Sequence, residues 1–402
     1  MDRQTGTFDP RAPLPAPPEP WAGSTQPSAR PGPPYHMTDM ITAEPYLARR
    51  ILDRLLAPGS PAAQLAAAVR EAADRGDPIV VTGCGTSEHG AMAAVEILRE
   101  ALRSVGLAGD PGAIVAAQAF EASFDPPSRG LVVGVSHEGG TGATNAALTN
   151  ARSAGAQTAL VTAGTGSPGA KLADIVIATG EMDQSWCHTV GYVSPILAAA
   201  AVGAFVSGRD LDASAVSELL ATGTRDESGA ESIAGRLGDA RLLIAIGSGA
   251  DRPAARELAL KIEEASWLPS AYRDLETFLH GHLPATDDAT GLVLVLTDRD
   301  RRSERVARAR QALAAARVLG LRSTAIVAEG AAADIDPGLT PAGRLVVRDA
   351  PTLPAPVAAL LGSATPLQLL TERIARARNT NPDPIRRDDQ RYREAGDAAE
   401  RP

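Results

Sequence analysis

The stretch PIVVTGCGTSEHGAMAAVEIL, residues 78–98, decides the reading of the fold. It begins as a short apolar run of the kind that forms a buried strand. It breaks at Gly83, Cys84, Gly85, Thr86 and Ser87, then resumes with apolar residues at helical spacing. A chain that leaves a buried strand through two glycines and two hydroxyls brings its backbone close to something small and oxygen-rich. Ser87 falls near the start of the helix, where unpaired N–H groups and the helix dipole favour an anion. A plain strand-to-helix turn with a serine cap carries the same letters, so one such loop is a weak sign of a ligand. Neither the P-loop lysine nor the spaced G-x-G-x-x-G of dinucleotide folds is present in it.

A second loop strengthens the case. VSHEGGTGAT, residues 135–144, again follows an apolar run and precedes a helical pattern, and it offers Ser136, His137, Glu138, Gly139, Gly140, Thr141 and Thr144. Two loops rich in hydroxyls and glycine, at strand ends of one sheet, predict an anion- or polyol-binding site. Apolar runs at 78–83, 113–118, 131–136, 158–163 and 174–179 predict five strands separated by helical stretches. The pattern restarts at residues 241–266, with a strand, then Gly-Ser-Gly, then a helix, and residues 291–298, 323–329 and 344–349 supply further strands. Near-continuous apolar strands alternating with helices argue for parallel sheets covered on both faces. The expected fold is therefore α/β, with two tandem domains, each a doubly wound, mainly parallel sheet of about five strands flanked by helices. The expected limits are a disordered Pro-rich tail at 1–39, a first domain with N-terminal helices at 40–208, a second domain at 209–380 and a C-terminal tail at 381–402.

Composition narrows the classes. Of the 402 residues 44% are hydrophobic and only 3% aromatic, enough for a sizeable core of small side chains. A net charge of −9 argues against a nucleic-acid groove, which needs a basic stripe. Two cysteines, Cys84 and Cys187, make neither a disulfide framework nor a zinc spacing, so a cytoplasmic location is expected. No apolar run reaches the roughly 18 residues of a membrane span, and the Ala-rich run at 193–206 reads as a buried helix. The Pro-rich N-terminal residues cannot fold alone, and they lack the basic start and apolar centre of a signal peptide. They are expected to be a disordered tail or to precede a true start at Met37 or Met40.

A third element lies in the second half. Glu257, Lys261 and Glu264 fall on one helical face, and LETFLHGH, residues 275–282, follows with His280 and His282. A solvated charged face is the commoner meaning of such spacing. A carboxylate and a histidine presented to a sugar are also what proton transfer between adjacent carbons requires. His89, His137 and His188 fall on or beside the loops, but no pair has ligand spacing, and ordinary hydrogen-bonding roles are expected rather than a metal.

These motifs together resemble the sugar isomerase (SIS) domain family, in a double arrangement like the isomerase half of glucosamine-6-phosphate synthase. CGTS at 84–87 matches the family's first loop letter for letter. SHEGGT at 136–141 stands where the family has S-Q-S-G-E-T, ELALKIEEASW resembles E-G-A-L-K-L-K-E-I-S-Y, ETFLHG resembles E-L-K-H-G, and TPLQLL at 365–370 resembles V-P-L-Q-L-L. The resemblance implies that Cys84, Gly85, Thr86, Ser87, Ser136, His137, Glu138, Gly139 and Thr141 surround the substrate, with Ser87, Ser136 and Thr141 on its anionic group. It implies that Glu264 shuttles the proton between C1 and C2, that His280 opens the sugar ring, and that Lys261 stands beside the glutamate. It further implies a homodimer or higher homo-oligomer, a small-molecule sugar derivative as partner, no cofactor, and no nucleic-acid or membrane partner.

The departures bear on the reaction. Glu138 replaces a serine of the phosphate loop and would repel a dianion. EMDQSWCHTVGY, residues 181–192, replaces a loop that usually contains S-T-K, and NPDPIRRDDQRY, residues 381–392, lacks the imine-forming lysine, with Arg386 or Arg387 as substitute charge. No glutaminase activity is expected. The leading expectation is an aldose–ketose isomerase of a sugar or sugar phosphate. The alternatives are an amino-sugar-phosphate deaminase or related isomerase using free ammonia, and a non-catalytic sugar-phosphate sensor. Ammonia release would single out the first alternative, and binding without turnover the second.

Overall fold

The computed structural model describes residues 8–25, 27–107 and 113–400. Helices α1 (His36–Leu55) and α2 (Pro61–Asp74) lead into β1 (Ile79–Gly83), α3 (Thr86–Ser104), β2 (Ile114–Gln118), α4 (Ala119–Phe124) and β3 (Leu131–Val135). The first unit continues with α5 (Gly142–Ala154), β4 (Gln157–Thr162), β5 (Ile175–Ala178) and α6 (Val190–Ser207). Its five strands are all parallel, in the order β2-β1-β3-β4-β5.

The second unit runs α7 (Ala213–Gly223), α8 (Glu227–Leu237), β6 (Leu242–Gly247), α9 (Asp251–Ser266), β7 (Ser270–Asp274), α10 (Leu275–Thr277) and β8 (Thr290–Leu296). It closes with α11 (Arg302–Val318), β9 (Arg322–Ala328), α12 (Glu329–Ala332), β10 (Gly343–Val347) and α13 (Ala355–Ala377), and α14 (Gln390–Glu400) follows. Its sheet, β10-β9-β8-β6-β7, repeats the first topology in all-parallel form. The expected α/β fold with two parallel five-stranded sheets is therefore what the chain forms. In both sheets the strand order reverses beside the first strand, at β1/β3 and β6/β8, and such switch points open a crevice at the carboxyl ends of the strands.

The two units share one continuous core. Leu47 of α1, Leu197 of α6, Leu220 of α7 and Leu367 of α13 belong to the same buried cluster. The Ala-rich run lies in α6, the one described helix long and apolar enough to cross a membrane, and it is buried within this core. Its small residues let helices approach closely. A Cβ on Gly90 of α3 would lie 2.8 Å from Pro195 Cγ, and one on Gly203 of α6 would lie 3.0 Å from Ile97 Cγ2.

Three parts differ from the sequence expectation. Strand β7 was not foreseen, because Ser270–Asp274 is a half-buried edge strand with no apolar run. The Pro-rich residues, expected to be disordered, carry turns and bends but are laid against the first unit, with Leu14 and Tyr35 buried. Residues 381–384, assigned to the C-terminal tail, are also integrated. The Asp383 carboxylate accepts the backbone N–H groups of His36 (2.8 Å) and Met37 (2.9 Å) at the start of α1.

The α3–α6 contact presents the first unit's loops, so crowding it tests the architecture. Gly203→Val pushes a branched side chain into Ile97 and should cost roughly 1–3 kcal/mol, the usual range for overpacking, read as a lower urea midpoint at unchanged slope.

Candidate functional site

The glycines of the opening motif serve the turn. A Cβ on Gly83 would lie 2.6 Å from the Ser87 carbonyl, so strand and helix could not meet so closely there. Gly85, the N-cap of α3, has φ +56°, in the left-handed region that favours glycine. Neither α3 nor α5 has a side-chain cap, so both helices turn their N-terminal ends to the same crevice uncapped.

That crevice, at the β1/β3 switch, is a cavity of about 650 Å³. Cys84, Gly85, Thr86 and Ser87 line one side, and His137, Glu138 and Thr141 line another. Ser136 and Gly139 do not line it. Ser136 is buried, its hydroxyl lies 3.1 Å from that of Thr141, and it accepts the Gly139 N–H at 3.2 Å. Both residues shape the loop from beneath. Burial raises the Cys84 thiol above its usual range, which makes it a weak nucleophile.

Glu264 enters this cavity from the second unit, on α9. Its carboxylate receives a hydrogen bond from Lys261 Nζ, and Lys261 in turn lies 3.6 Å from Glu257 Oε1. Glu257 reaches back to the first unit: Thr86 Oγ1 donates to it at 3.2 Å and His89 Nδ1 lies 2.7 Å from it. A nitrogen facing a carboxylate carries the hydrogen, which fixes that face of His89 as donor. Burial alone would lower Lys261, but Glu264 and Glu257 outweigh it and hold the ammonium charged. Burial raises Glu264 in spite of Lys261. For Glu257 burial also pushes upward, but Lys261 and His89 prevail and its carboxyl is held low. The solvated-face reading of this run fails at Glu257 and Lys261, which are 0% and 1% exposed.

His280 stands elsewhere. Its side chain is 68% exposed, lies 2.6 Å from Glu276, and is no part of the cavity wall. It sits in a distorted turn, Phe278–His282, with Gly281 at φ +96°. Lys261 also lies behind the wall, because its ammonium is turned to the two glutamates.

Several wall residues escaped the motif reading: Trp21 and Ser24 from the N-terminal segment, and Trp186 and Ile385 from segments with no periodic pattern, which also carry His188 and Arg387. Of the two arginines considered as substitute charge, Arg387 lines the cavity, with its guanidinium 4.4 Å from the Trp186 ring centre. Arg386 instead stacks on Trp267 and Tyr392. His188 was visible as a histidine beside the loops, and its ring centre lies 5.1 Å from that of His137. His137 Nε2 accepts the Asp183 N–H at 3.0 Å, so its ring proton sits on Nδ1. Burial, then the neighbouring His188, push His137 down to about 4; burial, then Lys261, do the same for His188. Among the described residues no group of three or more His, Cys, Asp or Glu is placed to hold a metal ion.

The equivalent end of the second sheet carries carboxylates of its own. Asp298 Oδ2 accepts the Ala250 N–H at 2.9 Å at the start of α9 and pairs with Arg305 at 2.5 Å. Asp251 accepts the N–H groups of Thr297 (2.9 Å) and Asp298 (3.0 Å). A cavity of about 580 Å³ remains at this end, lined by Ala250, Asp298 and Arg305, but a built-in carboxylate already takes the N–H at the start of α9, where an external anion would otherwise bind.

The buried His137 and the half-buried His188 set a pH dependence. Their folded values near 4 lie below the ordinary 6.5, so between these limits the unfolded chain takes up protons that the fold refuses. Their contribution is intact above pH 6.5 and is lost as pH falls toward 4. Glu264 and Asp183, raised by burial, act in the opposite sense. His188→Gln should therefore flatten the fall of Tm between pH 6.5 and 4 relative to the unmodified chain, read by calorimetry at matched ionic strength. A parallel fall in both proteins would contradict a neutral His188.

No protein-family model and no curated protein matches this sequence. Solved structures match by fold. The C-terminal domain of glucosamine-fructose-6-phosphate aminotransferase from Francisella tularensis aligns with TM-score 0.72 at 18% identity, over 89% of this chain and 99% of that one. Tagatose-6-phosphate ketose/aldose isomerase from Escherichia coli aligns with TM-score 0.66 at 18% identity, over 89% and 98%. Glucosamine-6-phosphate deaminase from Thermotoga maritima aligns with TM-score 0.57 at 17% identity, over 81% and 97%. At such identities the likeness establishes architecture: this chain has the fold of these sugar-phosphate proteins.

Proposed function

We propose that the chain is a sugar-phosphate isomerase that moves a proton between C1 and C2 of an aldose–ketose pair. The observation that carries this reading is Glu264. A carboxylate borne by the second unit is held by a buried lysine at the mouth of two uncapped helices of the first unit. Helix ends and loop hydroxyls suit an anionic sugar, and a carboxylate raised by burial suits a proton that must be both taken and returned. The fold neighbours named above include a ketose/aldose isomerase and a deaminase, which supports an enzyme of this kind.

In this reading the sugar binds with its anionic group toward Ser87 and Thr141. Glu264 removes the C2 proton, and the resulting enediol is reprotonated at C1. Arg387 supplies cavity charge in place of a lysine. His280, exposed on its own chain, acts on the ring oxygen of a sugar held by a second copy, so a homodimer is part of the proposal. Deamination is the second reading, favoured by the deaminase among the fold neighbours.

The decisive assay incubates the protein with glucose 6-phosphate, fructose 6-phosphate and glucosamine 6-phosphate and follows aldose, ketose and ammonia together. Interconversion without ammonia is expected. Ammonia from glucosamine 6-phosphate alone would transfer the proposal to deamination. Binding with no turnover of any sugar would make the protein a sensor. Glu264→Gln should keep binding and lower kcat by roughly 100-fold or more, the scale of a positioned general base. An unchanged kcat removes Glu264 from the mechanism.

A further inference from the structure

The N-terminal segment touches the site through a residue that fits a phosphate loop poorly. Glu138 uses its whole side chain on that segment. Ser24 N–H donates to Oε2 at 3.0 Å, and the Ser24 hydroxyl donates to Oε1. The Glu138 carbonyl accepts Trp21 Nε1–H at 2.9 Å. Trp21, Gly23 and Ser24 then form part of the cavity lining.

The rest of the segment is built in as firmly. Leu14 is 5% exposed and belongs to the main core, and its N–H donates to Glu181 Oε2 at 2.8 Å. Arg50 pairs with Glu181 at 2.7 Å and donates to the carbonyls of Arg11 (2.9 Å) and Ala12 (3.3 Å). The Pro15 carbonyl accepts the Met182 N–H at 3.2 Å. Three glycines of the first unit leave the space the segment occupies. A Cβ on Gly140 would lie 2.6 Å from the Trp21 ring, one on Gly164 would lie 2.7 Å from Pro17 Cγ, and one on Gly166 would meet the Glu19 carboxylate. Pro13, Pro15, Pro17, Pro18 and Pro20 have little backbone freedom to lose and no N–H to satisfy, so an extended path over the surface costs little to order.

We propose that residues 14–24 are a fixed wall of the sugar cavity, clasped by Glu138, and that Trp21 and Ser24 are specificity-determining residues of that site. Glu138 is then a positioning residue. Its carboxylate is directed at the wall, where the two Ser24 donors engage both its oxygens. The wall closes the cavity on the side of the Ser136–Thr141 loop and presents an indole and a hydroxyl there, an apolar face and a hydrogen-bonding group suited to a sugar ring. The specificity role rests on the sugar-phosphate reading, while the clasp does not.

Two arms separate these claims. In the first, no ligand is present, and hydrogen exchange is measured on peptides within residues 14–25. Slow exchange is expected in the unmodified full chain, and exchange about tenfold faster or more in Glu138→Ala, which loses charged hydrogen-bond acceptors. Ser24→Pro removes the two Ser24 donors to the carboxylate without touching the core, and carries the same expectation should the loop variant misfold. Equal exchange in all three proteins overturns the clasp.

In the second arm, affinities for glucose 6-phosphate, fructose 6-phosphate and glucosamine 6-phosphate are measured on Trp21→Ala. The ratio among the three should shift by about fivefold or more, the scale of a lost aromatic contact. Unchanged ratios overturn the specificity role. An unmodified protein that binds none of the three removes the sugar reading and the specificity role together, and the exchange arm still decides the clasp.

Discussion

Lys261 is the charge on which the functional arrangement depends. It is 1% exposed and stays charged because Glu257 and Glu264 flank it. A buried ion without partners is costly, so the three side chains hold one another in place. Glu257 then extends the network across the unit boundary to Thr86 and His89 on α3. The helix that carries Glu264 is thereby registered against the helix whose N-terminus opens the cavity. A conventional core of Leu and Ala brings the units together; this polar network sets where the Glu264 carboxylate stands.

The same topology occurs twice with opposite outcomes. At β1/β3 the two helix starts are uncapped and face a cavity. At β6/β8 Asp298 accepts the Ala250 N–H at the start of α9, Asp251 takes up the N–H groups that end β8, and Arg305 balances the charge. One end therefore presents hydroxyls and free helix N–H groups to its cavity, and the other presents carboxylates. The cavity is further sealed by two segments remote in sequence. The C-terminal one contributes Arg387, and the N-terminal one Trp21 and Ser24. Both are held by carboxylates, Asp383 at the start of α1 and Glu138 in the loop.

Much of the fold was legible because parallel strands buried on both faces write themselves as apolar runs. The runs at 78–83 and 131–136 carry β1 and β3, and the glycine-rich letters after them mark the switch point. Strand β7 was silent because an edge strand needs no apolar run, and SAYRD has none. The candidate site divides the same way. Cys84 to Ser87 and His137 to Thr141 were readable because loops at strand ends are local in sequence. Lys261 and Glu257 looked like a solvated face because spacing of four residues shows which side chains share a side, not whether another helix covers it. His280 followed from motif likeness, and its position on the surface of one chain is a matter of how the turn after β7 leaves the sheet.

Residues 78–98 and 135–144 by themselves determined an α/β chain with a crevice lined by glycine- and hydroxyl-rich loops, since strand burial, helix periodicity and turn chemistry are written within a few neighbouring residues. The second apolar series likewise determined a second sheet. Tertiary structure alone decided that the start of α9 already has a carboxylate partner, because Asp298 reaches the Ala250 N–H from 48 residues away in the chain. It also decided what surrounds the first unit's crevice. Glu138 meets Ser24 across 114 residues, and Glu257 meets His89 across 168. Composition reports that a Pro-rich segment cannot fold alone, and it cannot report that Gly140, Gly164 and Gly166 leave that segment a place to lie. Contacts over such separations follow from the packing of the two units, and no local pattern encodes them.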